Sequence, residues 1–245
     1  MPGRALKPQS PDLAVFDLGT APYLPVQELQ KRLRLAVADG RVSGALLLLE
    51  HEPVITLGGR AGPQDLRSRD GGHVQPPEVV ISERGGQATL HAPGQLVSYP
   101  VVPIPGRDLT AYVRGLEQAN ILLLAELGIH AERQQGRPGL YVAGEKISSV
   151  GLRCQRWVSS HGTSLNVDVD LELFDHIVSC GQPGLRQTSI AAVLGATPAM
   201  SAIKAMYIRA VIQVFGWNIK AMKRVPYDRI GVELGLDDGR GDFPA

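Results

Sequence analysis

Three short segments hold the groups that could do chemistry. Cys180 sits in Ser179-Cys180-Gly181-Gln182-Pro183-Gly184 and Lys146 in Gly144-Glu145-Lys146-Ile147-Ser148-Ser149. His91 lies in Arg84-Gly85-Gly86-Gln87-Ala88-Thr89-Leu90-His91-Ala92-Pro93-Gly94-Gln95. A thiol, an amine and an imidazole suffice to hold an acyl group on sulfur and pass it to nitrogen. The thiolate is the nucleophile, and a free cysteine supplies little of it at neutral pH unless a cation lies close.

Gly181, Pro183 and Gly184 would let backbone come near a thioester on Cys180. Cys154, at the end of a predicted strand without Gly or Pro around it, reads as an inert buried thiol. Lys146 taken alone is an ordinary lysine at a hairpin edge. Placed against Cys180, its ammonium would favour the thiolate. It would have a second use if the acyl acceptor is an amine, because presenting a lysine neutral at pH 7 costs about 4 to 5 kcal/mol. A desolvated lysine can take that proton. In the arch from Arg84 to Gln95, Gly85-Gly86 permits tight turns and Pro93-Gly94 closes the far side. The ordered set Arg-Gly-Gly-x-x-Thr-x-His-x-Pro-Gly-Gln is far more specific than its parts. His51 is read as structural, and His73, His130 and His176 have no supporting neighbours. No Cys/His spacing suits zinc, and no Gly-x-x-x-x-Gly-Lys-Ser/Thr phosphate loop is present.

The elements that must bring these groups together follow from patterning. The chain has 245 residues, a net charge of +1 and 44% hydrophobic residues, enough for one substantial core. One domain over 1–245 is expected, with loose tails at 1–11 and 236–245. Basic residues are scattered and aromatics are 5%, which argues against a nucleic-acid partner. The start, Met1-Pro2-Gly3-Arg4 with Pro8 and Pro11, lacks the apolar run of a signal peptide, and stretches such as 45–49 are too short to span a bilayer. No membrane role and a cytoplasmic location are the expectations. The two cysteines make no disulfide framework; a Cys154–Cys180 bridge stays open, with reduced thiols expected.

Val26, Leu29, Leu33, Ala36 and Val37 recur at helical spacing before Gly40. Residues 45–49 and 54–57 read as buried strands, 60–77 as a long loop, and 79–82, 88–91 and 96–102 as further strands. Asp108 is a candidate N-cap for a helix with an apolar face from Leu109 to Leu127, ending at Gly128. Residues 140–143 and 146–153 flank Gly144-Glu145 as a hairpin. Leu165, Val167 and Val169 alternate with polar residues as a half-buried strand, and 190–194 and 198–215 read as helices. Hairpin-like groups of strands point to an α/β (α+β) fold with a mixed β-sheet flanked by helices.

From about Glu50 to Thr188 the chain resembles the lipoyl(octanoyl) transferase family. The resemblance implies the biotin/lipoate protein ligase type of catalytic domain. It implies catalytic roles for Cys180, as acyl-carrying nucleophile, and Lys146, as its activator. It also implies contacts to the acyl substrate from Arg84, Gly85, Gly86, Gln87, Ala88, Thr89, Leu90 and His91. Ser149-Val150-Gly151 and Gly162-Thr163-Ser164 line up with further contacts. Gly151 and Gly162 have two readings, as oxyanion-hole donors or as ordinary ladder partners. Leu90 stands where an aromatic is usual and Ala92 where glycine is usual. The segment after Thr197 lies outside the matched motifs and is read as packing.

The implied reaction transfers octanoyl from octanoyl-acyl carrier protein to a lysine on lipoyl domains of 2-oxoacid dehydrogenase complexes and of glycine cleavage H protein. It needs no cofactor and no metal. Three rivals remain: an ATP-dependent lipoate or biotin ligase, a cysteine hydrolase pairing Cys180 with His91 or His161, and a non-catalytic carrier-binding protein.

Overall fold

Consecutive apolar residues at 45–49 can be buried only if both faces of their strand are covered. The computed structural model describes residues 12–67 and 76–236 and places this run at the middle of a large sheet. The expected tail at 1–11, the tail beyond Leu236, and the centre of the 60–77 loop with His73 lie outside the described residues.

In chain order the strands are β1 (Asp12–Ala21), β2 (Ala45–His51), β3 (Val54–Leu57), β4 (Glu78–Ile81), β5 (Ala88–His91), β6 (Gln95–Val101), β7 (Glu132–Gln134), β8 (Arg137–Val142), β9 (Glu145–Gln155), β10 (Val158–Asn166) and β11 (Asn218–Arg224). The helices are α1 (Tyr23–Ala38), α2 (Leu109–Glu126), α3 (Ile190–Leu194), α4 (Met200–Phe215) and α5 (Ile230–Glu233). An eight-stranded sheet has the order β11-β1-β2-β6-β10-β9-β8-β7, and a three-stranded sheet the order β4-β3-β5. Pairing is parallel at β11–β1, β1–β2 and β3–β4 and antiparallel elsewhere, so the sheet is mixed, as expected.

Alternation along β2 sorts its leucines between two cores. Leu46 and Leu48 pack with Tyr112 and Leu116 of α2 and Ile203 and Tyr207 of α4. Leu47 and Leu49 pack with Val26, Leu29 and Leu33 of α1 on the opposite face. Asp108 caps α2 as read, accepting from the Ala111 N–H at 2.9 Å. The small sheet has its own apolar cluster, in which Ile55 and Leu90 meet Phe174 and Ile177. That layer carries β5 to the turn holding Cys180.

Several expectations are corrected. The strand read around 165–169 is β10, which begins at Val158 and stops at Asn166. The next two N–H groups, of Val167 and Asp168, both turn onto the Gly94 carbonyl, ending the ladder. The hairpin turn is Ala143-Gly144, both left-handed (φ 49° and 84°), and Glu145 already belongs to β9. Strands β1, β7 and β11 had no counterpart in the sequence reading. Leu236, assigned to a loose tail, is buried with the α1 core.

Candidate active site

Lys146 is the second residue of β9, and the outer strand and α2 determine where its side chain goes. Its ammonium donates to the Pro138 carbonyl at 2.8 Å and lies 3.4 Å from the Tyr141 hydroxyl and 5.1 Å from that ring's centre. Gly139 (φ 110°) leaves the space: a Cβ there would sit 2.3 Å from the Ser148 carbonyl oxygen and 3.0 Å from Lys146 Nζ. Glu117 of α2 holds the same stretch, accepting from the Gly139 N–H and from Arg133 Nε, each at 2.9 Å.

Cys180 occupies a single turn, Ser179–Gly181, with its own backbone left-handed (φ 55°). Gly181 follows at φ 64°, and a Cβ on it would collide with the Gln87 amide, so the arch lies directly over this turn. Lys146 Nζ stands 3.4 Å from Cys180 Sγ. Residues 34 apart in sequence thus form an ammonium–sulfur pair, with the lysine only 1% exposed. Both Cys154 and Cys180 are free thiols.

A narrow cleft runs from Cys180 between the arch and the β9–β10 pair, with an empty volume of about 450 Å³ including its mouth. From the arch it is lined by Arg84, Gly86, Gln87, Ala88, Thr89 and His91, and from β9 and β10 by Ser149, Val150, Gly151, Gly162, Thr163 and Ser164. Gly85 and Leu90 are not on the lining. Leu90 and Ala92, the two departures from the family pattern, face the apolar cluster of the small sheet instead. Gly151 and Gly162 are cross-strand partners, and a Cβ on Gly162 would meet the Ser98 carbonyl at 2.0 Å. Close packing alone therefore calls for glycine at 162.

Arg84 does not end in the cleft as a free cation. Its guanidinium is buried and donates to the Thr56 carbonyl (2.6 Å), the Thr56 hydroxyl (2.8 and 3.1 Å) and the Gly85 carbonyl (3.1 Å), pinning the arch to β3.

The cleft is also lined by Tyr99, which the sequence reading left out, and by His161, which it named only for the hydrolase rival; Tyr23 and His51 pack behind these rings. Tyr23 stacks with His91 and His161 at 6.0 and 6.5 Å, and Tyr99 meets His161 edge-on at 5.8 Å. His51 bonds the Ala21 carbonyl through Nδ1 and the Tyr99 hydroxyl through Nε2. Burial pushes His51 down to about 4. Burial, reinforced by the Arg84 and Arg153 cations, pushes His161 down to about 3. Burial likewise holds His91 well below the usual imidazole range. All three rings are neutral at pH 7. Among the described residues no group of three or more His, Cys, Asp or Glu is placed to hold a metal ion.

His91 is also fixed in one tautomer. Gln95 donates its amide N–H groups to the Leu90 carbonyl and Asn166 Oδ1, and Asn166 donates to the Thr188 carbonyl. Two backbone carbonyls thus set both amide orientations, since a flip would face oxygen with oxygen. Gln95 Oε1 is left to accept from His91 Nδ1 at 3.2 Å, and Nε2 is the bare nitrogen. Gln95 and Asn166 are direct partners between β6 and β10.

Residues 22–212 match the family described as Lipoyl protein ligase A/B catalytic domain. The match runs past Thr197 into α4, further than the sequence motifs reach. The chain is similar to the octanoyltransferase of Desulfovibrio desulfuricans, at 41% identity over 207 residues, covering 82% of this chain and 86% of that one. The octanoyltransferase of Chloroflexus aggregans is 40% identical over 209 residues, covering 83% and 95% respectively. A solved structure of lipoate-protein ligase A bound with ATP has the same fold, with a TM-score of 0.68 at 12% identity over 94% of this chain and 95% of that one.

Proposed function

The chain belongs to the lipoyl protein ligase A/B catalytic domain family and is an acyltransferase of the octanoyltransferase kind; from that premise we propose that it moves octanoyl from acyl carrier protein to a lysine of lipoyl domains through a thioester on Cys180. The observation that carries the reading is the 3.4 Å approach of the Lys146 ammonium to the Cys180 sulfur at one end of a cleft. A cation at that distance is placed to pair with the sulfur when it carries negative charge.

In the first half-reaction the Cys180 thiolate attacks the carrier thioester. A C–S bond forms to Cys180, the carrier's C–S bond breaks, and the departing thiolate takes a proton from Lys146. The acyl-enzyme then has a neutral lysine beside it. When a lipoyl-domain lysine arrives as ammonium, Lys146 takes one proton, and the freed amine attacks the Cys180 thioester. Nitrogen gains the acyl group, Cys180 leaves as thiolate beside the restored Lys146 ammonium, and a second proton goes to solvent. Splitting the transfer in this way is covalent catalysis, with ping-pong kinetics as its signature. The acceptors are lipoyl domains of 2-oxoacid dehydrogenase complexes and glycine cleavage H protein.

Intact-mass measurement after incubation with octanoyl-acyl carrier protein tests the proposal. The enzyme should gain one octanoyl group on Cys180 and lose it when lipoyl domain is added, and Cys180→Ser should form no thioester adduct and transfer at least 10³-fold more slowly. Normal turnover by Cys180→Ser would end the mechanism. Because the fold is shared with an ATP-bound ligase, a parallel incubation with free octanoate and ATP is included. Lipoyl-domain modification in that arm would favour carboxylate activation instead.

A further inference from the structure

His161 is a residue that the fold alone does not explain. It carries a left-handed backbone (φ 58°) inside a strand, where a side chain with a Cβ is disfavoured. Its buried Nδ1 has no hydrogen-bond partner among the described residues. Both features oppose folding, and a glycine at this position would remove both. Strain of this kind at a residue lining a cleft points to a role in what the cleft holds.

The position of the rings suggests what that role is. At the Cys180 end, the Gln87 amide lies against Gly181. His91 is four residues further along the arch, about 13 Å at a strand's rise of about 3.3 Å per residue. An extended eight-carbon acyl chain, with C–C bonds of about 1.5 Å, spans about 9 Å. Adding the bond to sulfur and the depth of the imidazole closes the remaining distance. His161 sits at the same end, since Tyr23 stacks with both histidines.

We propose that His161, together with His91 and Tyr99, forms the floor of the acyl slot and determines its chain length, so that an eight-carbon tail ends against the rings. This rests on reading the cleft as the acyl site. The floor does not give way to a longer chain because each neighbour is held. Gln95 and Asn166 fix His91, and His51, bonded to the Ala21 carbonyl, holds the Tyr99 hydroxyl.

The left-handed backbone supplies a clean test, because glycine and asparagine both tolerate that conformation. His161→Gly removes the ring and should lengthen the slot, whereas His161→Asn retains a planar polar group. Acyl-enzyme formation is measured with carrier thioesters of six to twelve carbons. In His161→Gly the ratio of decanoyl to octanoyl kcat/KM should rise about tenfold, the scale of two further buried methylenes. In His161→Asn it should change less than threefold. A ratio unchanged within twofold in folded, octanoyl-competent His161→Gly would overturn the floor. Should that variant not fold, a crystal structure of the wild-type protein alkylated on Cys180 by an eight-carbon haloketone decides. The tail must end against the His161 ring, and a tail running elsewhere overturns the proposal. A wild-type protein that forms no octanoyl-enzyme would remove the proposed function itself, a failure visible before any variant is compared.

Discussion

At the scale of single residues, the pairing of Lys146 with Cys180 depends on groups that give the lysine nowhere else to go. Among the described residues no carboxylate is its hydrogen-bond partner: its partners are the Pro138 carbonyl, the Tyr141 hydroxyl and the sulfur. A carboxylate there would compete with the thiolate for the ammonium, whereas a neutral carbonyl orients it and leaves its charge for sulfur. Lys146→Ala should therefore slow iodoacetamide alkylation of Cys180 at pH 7 by tenfold or more, read by mass spectrometry. An unchanged alkylation rate would show that the ammonium does not activate the sulfur. The sequence nominated both residues from their surroundings, but Pro138, Gly139 and Tyr141 had no distinguishing signal. Their importance is purely one of distance.

At the scale of elements, Glu117 ties α2 to the start of β8, and the Lys146 ammonium hangs from that same stretch. Glu117→Leu would leave the buried Gly139 N–H without an acceptor, at a cost of about 1 to 3 kcal/mol. Glu117→Gln keeps an acceptor and loses only the partly exposed pair with Arg133, which contributes little. Urea denaturation should show Glu117→Leu losing at least twice as much stability as Glu117→Gln, with transfer activity falling in the same order. Equal losses would mean that the ion pair matters and the N–H does not. The elements that were legible have strong local signals: the 45–49 run, the Asp108 cap, and the apolar face of α2. The missed strands β7 and β11 are short or charged and lie at the sheet's edges, where one neighbour supplies all the pairing. The start of β10 was missed because 158–162 contains Ser159, Ser160, His161 and Gly162, polar or small residues buried there by the layers around them.

At the scale of the whole molecule, three buried neutral histidines make stability depend on pH. The folded-state values of His51 and His161 lie near 4 and 3, and that of His91 is also depressed, below the ordinary value of about 6.5 expected when unfolded. The unfolded chain therefore binds protons first as pH falls. The stabilisation is complete above about pH 6.5 and is lost progressively as pH drops toward the folded values. Between pH 7 and 5.5 His51 and His161 should each account for roughly 1 kcal/mol of lost unfolding free energy, with His91 adding in the same direction. Urea titrations at the two pH values measure it, and His51→Gln should reduce the difference by about one ring's share. A pH-independent midpoint would mean the rings are already protonated in the fold. Patterning and motifs by themselves determined the mixed sheet with flanking helices, the family resemblance, and the thiol and amine worth watching, because those depend on local periodicity and on residue types in order. Tertiary structure alone decided that the ammonium meets the sulfur, that Arg84 is taken up by Thr56, and that Leu90 turns from the cleft while Tyr99 and His161 line it. Each of these depends on which distant strands pair and in what register, and no local window of sequence carries that register.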